Sequence, residues 1–181
     1  MNEVLSAIRD RFSCRSFTDQ MPPQEELQLI AQAGVQAPSA MNLQRWRVIM
    51  VKNKALMDEI EQEGLAQLDL GDKTAAERIR SRGRGLFYGA PCMAMLPMEA
   101  GSGLDCGILC ENIAIAAKSF GIESLICGLA GLAFAGDKGP SIKKRLGFPE
   151  GYEFGIAVLL GYVKDKTAPH EPDYSKISFI E

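Results

Sequence analysis

An α+β fold, with helices flanking a small central sheet, is what the sequence predicts, and three observations carry that expectation. Apolar residues recur at helical spacing through 24–36 (Leu27, Ile30, Ala31) and 53–70 (Leu56, Ile60, Leu65, Leu68). The runs 47–52, 92–96 and 154–162 are short and apolar in the manner of buried strands. Between the second and third of these, residues 104–120 are apolar with little polar face, which marks a core helix ended by Gly121.

At 181 residues, 46% hydrophobic and 24% charged, the chain is long enough to bury one substantial core. Residues 1–162 read as a single domain, and 163–181 as a polar, proline-bearing arm too poor in apolar residues for a core. A net charge of −3 without a basic block argues against nucleic acid as a partner. No basic-then-apolar leader opens the sequence, and no apolar run reaches the length of a membrane span, so a cytoplasmic location is expected. Five scattered cysteines (Cys14, Cys92, Cys106, Cys110, Cys127) argue against a disulfide framework. Cys106 and Cys110 fall on one helical face and read as core, not as ligands to a metal. His170 is the only histidine, which excludes a multi-histidine metal site.

The elements follow in order. Asn2 is placed to cap a first helix bearing Val4, Leu5 and Ile8 on one face. That helix leads into Arg11-Phe12-Ser13-Cys14-Arg15-Ser16-Phe17. Arg11 and Arg15, four apart, would project the same way from a final helical turn. With Ser13 between them they suit a phosphate dianion, the alternative being solvated arginines paired with Asp10 or Asp19. Pro22-Pro23 breaks the chain before the 24–36 helix. The charged piece 73–84 is a helix or an excursion over a site. Its Arg78, Arg80, Arg82 and Arg84 read most simply as a solvated face, or else as a feature attracting a phosphorylated nicotinamide. Residues 140–146 form a short helix with proline near its start, and 177–179 alternate like an edge strand.

Two stretches stand out as binding segments. Pro38 disfavours continuation of the second helix, and Ser39, Asn42 and Gln44 then supply a hydroxyl and two carboxamides. A loop capping itself with those groups is the alternative. In 122–131 an apolar run meets Gly128 and Gly131, where a ligand can approach the main chain closely. The spacing is not that of a G-x-G-x-x-G dinucleotide fold.

Taken together, the stretch from Arg11 to Phe17, Ala37-Pro38-Ser39 with Asn42, Gln44 and Trp46, Tyr88-Gly89-Ala90-Pro91, 121–128 and Leu160-Gly161-Tyr162 resemble the nitroreductase family of FMN-dependent oxidoreductases in order and spacing. The resemblance implies a mostly antiparallel sheet flanked by helices, and a homodimer that exchanges its C-terminal arms and holds FMN at the interface. It implies that Arg11, Phe12, Ser13 and Arg15 hold the phosphate and part of the ribityl chain. Pro38, Ser39, Ala40 and Asn42 would come from the other subunit, with Gln44 near the flavin. Backbone at Cys127, Gly128 and Leu129 would approach flavin N5. The family's arginine in the C-terminal arm is missing, and Lys176 is its substitute. Ala40 stands where many relatives carry serine.

The activity so implied is hydride transfer from NADH or NADPH through the flavin to nitroaromatics, quinones or similar electron-poor acceptors, by ping-pong turnover. No catalytic side chain is required, because the flavin carries the chemistry. The alternatives are a specialised member such as a flavin-dependent dehydrogenase, its pocket shaped by 71–85, and a non-catalytic FMN store or redox sensor.

Overall fold

The computed structural model describes residues 2–166 and 168–181. Met1, the first residue of the expected domain, and Thr167, within the polar stretch, lie outside the described residues. The elements run α1 (Glu3–Asp10), α2 (Gln24–Val35), β1 (Ile49–Val51), α3 (Lys54–Gly71), α4 (Lys73–Ser81), β2 (Cys92–Glu99), α5 (Gly103–Ser119), β3 (Glu123–Cys127), α6 (Gly139–Leu146) and β4 (Tyr152–Gly161). A 3-10 turn, Gly128–Phe134, joins β3 to α6.

Four strands form one fully antiparallel sheet in the order β1-β2-β4-β3. Its centre is β2 against β4, in register Met93↔Leu159, Ala94↔Val158 and Met95↔Ala157. Residues 92–96 of β2 and 157–160 of β4 are buried on both faces, which is why these stretches read as unbroken apolar runs. The period of two along each strand sorts their side chains into two cores. Met93, Met95, Ala157 and Leu159 face α3, α6 and the 3-10 turn. Cys92, Ala94, Leu96, Val158 and Leu160 face α2 and α5. Each large side chain so removed from water contributes about 1.5–3 kcal/mol before entropy is set against it. Gly34 lets α2 and α5 touch: a Cβ there would lie 2.7 Å from Ile113 Cγ1.

Asn2 does cap α1, its Oδ1 accepting from Leu5 N–H at 2.9 Å. Yet α1 buries no residue, and Val4, Leu5 and Ile8 are 62%, 52% and 47% exposed. The charged segment 73–84 is resolved as helix for the most part, with Asp72 capping α4 through Ala75 N–H. Residues 177–179 are not a strand, since no sheet edge of the same protomer lies beside them to pair with. The chain from 168 onward buries nothing and contains only the 3-10 turn Tyr174–Lys176. Among the described residues, no helix is long and apolar enough to cross a membrane.

Candidate functional site

Helix α1 stops at Asp10, and Arg11 is already extended at φ −65°, ψ 136°. Through 11–15 burial alternates: Phe12 and Cys14 sit in the core, Arg11 and Ser13 are half-buried, and Arg15 is exposed. The two arginines and the serine therefore share a side through a period of two, and the expected shared helical turn is replaced by extended chain. The cause is pairing with β3: Ser13 bridges Ser124 in parallel, and Cys14 N–H donates to Ser124 O at 2.9 Å. Further on, Phe17 bridges Val163 and its N–H donates to Tyr88 O at 3.1 Å.

Arg11, Phe12, Ser13 and Arg15 line a cavity of about 310 Å³ together with Ala168 and His170. The Arg11 side chain is 20% exposed and its Nε lies 3.4 Å from Glu111 Oε1. That approach is a charge contact, too poorly aligned to be a hydrogen bond, and Nε is left buried without an acceptor. A buried donor in that condition costs about 1–3 kcal/mol.

A second, larger cavity of about 650 Å³ is lined by Arg15, Arg82, Arg84 and Tyr88. Arg84 donates from Nη2 to Asp165 Oδ2 at 2.8 Å and from Nη1 to Arg15 O at 3.2 Å. Asp165 Oδ2 also accepts from Ser16 Oγ at 2.7 Å. The Ser16 hydroxyl first, then the Arg84 guanidinium, hold the Asp165 carboxyl below its ordinary range. Behind the loop, Glu61 accepts from Phe87 N–H at 2.6 Å.

The 38–44 loop is strained. Ser39 is extended, while Met41, Asn42 and Gln44 take φ of 51°, 54° and 49°. Left-handed backbone in residues with a Cβ costs on the order of 1 kcal/mol or more apiece and gathers where a ligand or partner fixes the chain. Ser39 Oγ accepts from Gln44 N–H, and Gln44 Nε2 donates to Asn42 Oδ1, both at 3.0 Å, so the loop does cap itself. Ala40 N–H reaches the Asp105 carboxylate, 3.3 Å from each oxygen. Pro38, Ala40, Asn42 and Gln44 are exposed, and none of them lines either arginine cavity.

At the far end of β3, the Cys127 side chain is buried, its Sγ 4.0 Å from Leu86 O, whereas Gly128 and Leu129 are exposed. Their backbone opens the 3-10 turn, where N–H groups lack carbonyls within the turn. All five thiols are free and buried. Burial pushes Cys92 and Cys110 up to about 12 and Cys106 to about 11, and raises Cys14 and Cys127 as well. None is an available thiolate near neutrality, which leaves no sulfur nucleophile. Among the described residues no cluster of potential ligands would hold a metal.

Lys176 stands outside the Arg11 cavity, 81% exposed with Asp173 at 4.0 Å. The arm residue that lines the cavity is His170, which spacing could not flag because it lies far along the chain from Arg11. Nor did the sequence disclose Glu61 or Asp165 as supports of the arginine loop.

A model of the nitroreductase family matches residues 8–162. The chain belongs to the nitroreductase family. It is similar over 100% of both chains to a crystal structure of a nitroreductase with bound FMN from Desulfitobacterium hafniense DCB-2, at 53% identity and a TM-score of 0.96. A second crystal structure, a nitroreductase with bound FMN from Bacteroides fragilis NCTC 9343, matches over 100% of both chains at 27% identity and a TM-score of 0.90. An Archaeoglobus fulgidus protein named "Putative NADH dehydrogenase/NAD(P)H nitroreductase" is 28% identical over 96% of this chain and 92% of its own. The antiparallel sheet with flanking helices is thus the family's fold.

Proposed function

We propose that the chain is an FMN-dependent reductase that takes hydride from NADH or NADPH and passes it to nitroaromatic, quinone or similar electron-poor acceptors. The observation that carries this reading is the half-buried Arg11 on the same side of an extended segment as Ser13 and Arg15, all three lining one cavity. These groups suit the FMN phosphate. The relatives with bound FMN support that assignment.

The Ser13↔Ser124 bridge ties this segment to the start of β3, and Gly128 follows four residues later, roughly 13 Å along an extended chain. A sugar-alcohol chain would lie within that interval, between a phosphate at one end and a ring at the other. Main chain at the exposed Gly128 and Leu129 suits the ring, and Cys127 contributes backbone only. When bound, FMN supplies the electron storage that no side chain here offers. The protein's own part is to hold the phosphate, aim main-chain donors at the ring, and keep positive potential from Arg15 nearby.

The same reading makes the protein a homodimer. Pro38, Ser39, Ala40 and Asn42 come from the partner subunit, and Gln44 approaches the flavin. Residues 163–181 form an arm that reaches across. The support is that the 38–44 loop is strained, outward-facing and absent from the arginine cavities of its own protomer, while the arm buries nothing. Within one protomer the arm residue beside Arg11 and Ser13 is His170, and Lys176 stays the arm's candidate for a phosphate contact across the dimer.

The test is the visible spectrum of purified protein before and after anaerobic NADH or NADPH. Yellow protein that bleaches, and regains its colour with a quinone or nitroaromatic, is expected. Protein that takes up no added FMN would end this reading.

A further inference from the structure

Resting on that reading, we propose that the larger, arginine-lined cavity seats a phosphate monoester of the electron donor, so that the chain takes NADPH in preference to NADH. Its lining consists of Arg15, Arg82, Arg84 and Tyr88, with no carboxylate among them. The balance of charge differs on the two sides of α4. Arg80 is neutralised by Asp69 of α3. Arg82 and Arg15 have no ion-pair partner among the described residues, and Arg84 shares only the exposed Asp165. In a chain of net charge −3 this is a local reversal of sign, and it surrounds a cavity, as a merely solvated face would not.

The loop is built to hold that arrangement. Gly83 and Gly85 take φ of +66° and +62°, turning the chain on either side of Arg84 so that it and Arg82 face the same cavity. A Cβ at Gly85 would lie 2.3 Å from Glu61 Oε1, so only glycine lets the Glu61 carboxylate pack there and accept the Phe87 N–H. The backbone of the loop is thereby anchored from behind, and Arg84 is held by Asp165 and by the Arg15 carbonyl.

The chemistry selects between the two donors. A free ribose 2′-hydroxyl is recognised by a carboxylate, and a 2′-phosphate by arginine; here the lining offers three arginines and no acid. A phosphate monoester carries roughly −1.5 to −2 charge near pH 7 and accepts forked guanidinium hydrogen bonds. The FMN phosphate is a second source of the same group. The neighbouring cavity, with Arg11 and Ser13, already answers that one, and Arg15 forms a wall common to both.

The experiment is calorimetric titration of FMN-loaded protein with 2′,5′-ADP and with 5′-AMP, for the native chain and for Arg82→Gln. The side chain of Arg82 is exposed and unpaired, so the flavin spectrum of the variant serves as its folding control. The native protein should bind 2′,5′-ADP at least tenfold more tightly than 5′-AMP. Arg82→Gln should remove most of that difference while leaving 5′-AMP unchanged. Equal binding of the two nucleotides overturns the proposal, as does 2′,5′-ADP that binds only FMN-free protein in competition with FMN. Anaerobic bleaching separates the two levels of argument. Equal rates with NADH and NADPH overturn the donor preference and leave the reductase intact, whereas no bleaching with either overturns both.

Discussion

Arg11 does more than add positive charge. Its side chain is mostly enclosed, one face meets Glu111, and Nε still lacks an acceptor. Arg11→Ala should therefore weaken FMN binding by roughly 1.5–3 kcal/mol, the worth of a hydrogen bond to a charged group. Riboflavin, which has no phosphate, should bind both proteins alike, and fluorescence titration reads both ligands. An equal loss for FMN and riboflavin would place the phosphate elsewhere. The cysteines give a complementary prediction. With all five buried and their thiols pushed upward, the native protein should react only slowly with a thiol-specific disulfide reagent near pH 7 and should release five equivalents on unfolding. Fast reaction of even one would show an accessible thiolate. The grouping of Arg11, Ser13 and Arg15 on one side was legible in the sequence because residue type and spacing already describe a candidate phosphate site. Their geometry was not, since spacings of two and four put residues on one side of a strand as well as near one side of a helix. Only the pairing of Ser13 with Ser124, set by distant sequence, decides between them.

At the level of elements, the strong signals were those in which local pattern and burial agree. The runs that became β2 and β4 are apolar throughout because both faces are covered, and α5 is apolar because it lies across the sheet. The run 177–179 had the right alternation without a partner edge, and alternation alone makes no strand. The arginine loop shows how one element supports another, and it gives a pH test. Burial first, and the charge of Asp58 in addition, raise the Glu61 carboxyl above its ordinary 4.5, although the Phe87 N–H opposes them. The folded state thus keeps the Glu61 proton to higher pH than the unfolded chain does. Stability from that proton is complete below about 4.5 and is lost as pH rises through the folded value. Glu61→Gln, neutral and still able to accept from Phe87, should be more stable than the native chain at pH 7 by urea unfolding. That advantage should shrink as pH falls toward 4.5. A difference independent of pH would show that ionisation of Glu61 has no part in it.

Across the whole molecule, several of the apolar residues that one protomer leaves exposed fall on parts with little else to hold them, although Leu70 and Leu104, at 82% and 79% exposed, stand on α3 and α5. Helix α1 turns Val4, Leu5 and Ile8 outward, and the arm ends in Phe179 and Ile180 at 89% and 99% exposed. Met41, at the tip of the strained loop, is 86% exposed. A scattered exposed leucine needs no explanation, but an amphipathic helix, an arm and a strained loop that all lack cover call for a partner surface. On the proposed reading a second copy would supply it and complete the flavin site, because the loop and the arginines would then meet across the interface. The mass in solution should be twice 19.7 kDa. Replacing both Leu5 and Ile8 with Asp should weaken the dimer by several kcal/mol, since each apolar side chain buried there contributes about 1.5–3 kcal/mol and a buried carboxylate opposes association. If Ser39 and Asn42 act from the partner, FMN retention must fall with dissociation, so dilution of that variant should release flavin and mass together. Sedimentation followed at the flavin absorbance distinguishes the outcomes. Flavin that stays with a 19.7 kDa species would mean that each protomer builds its site alone and that the loop's strain answers to something else.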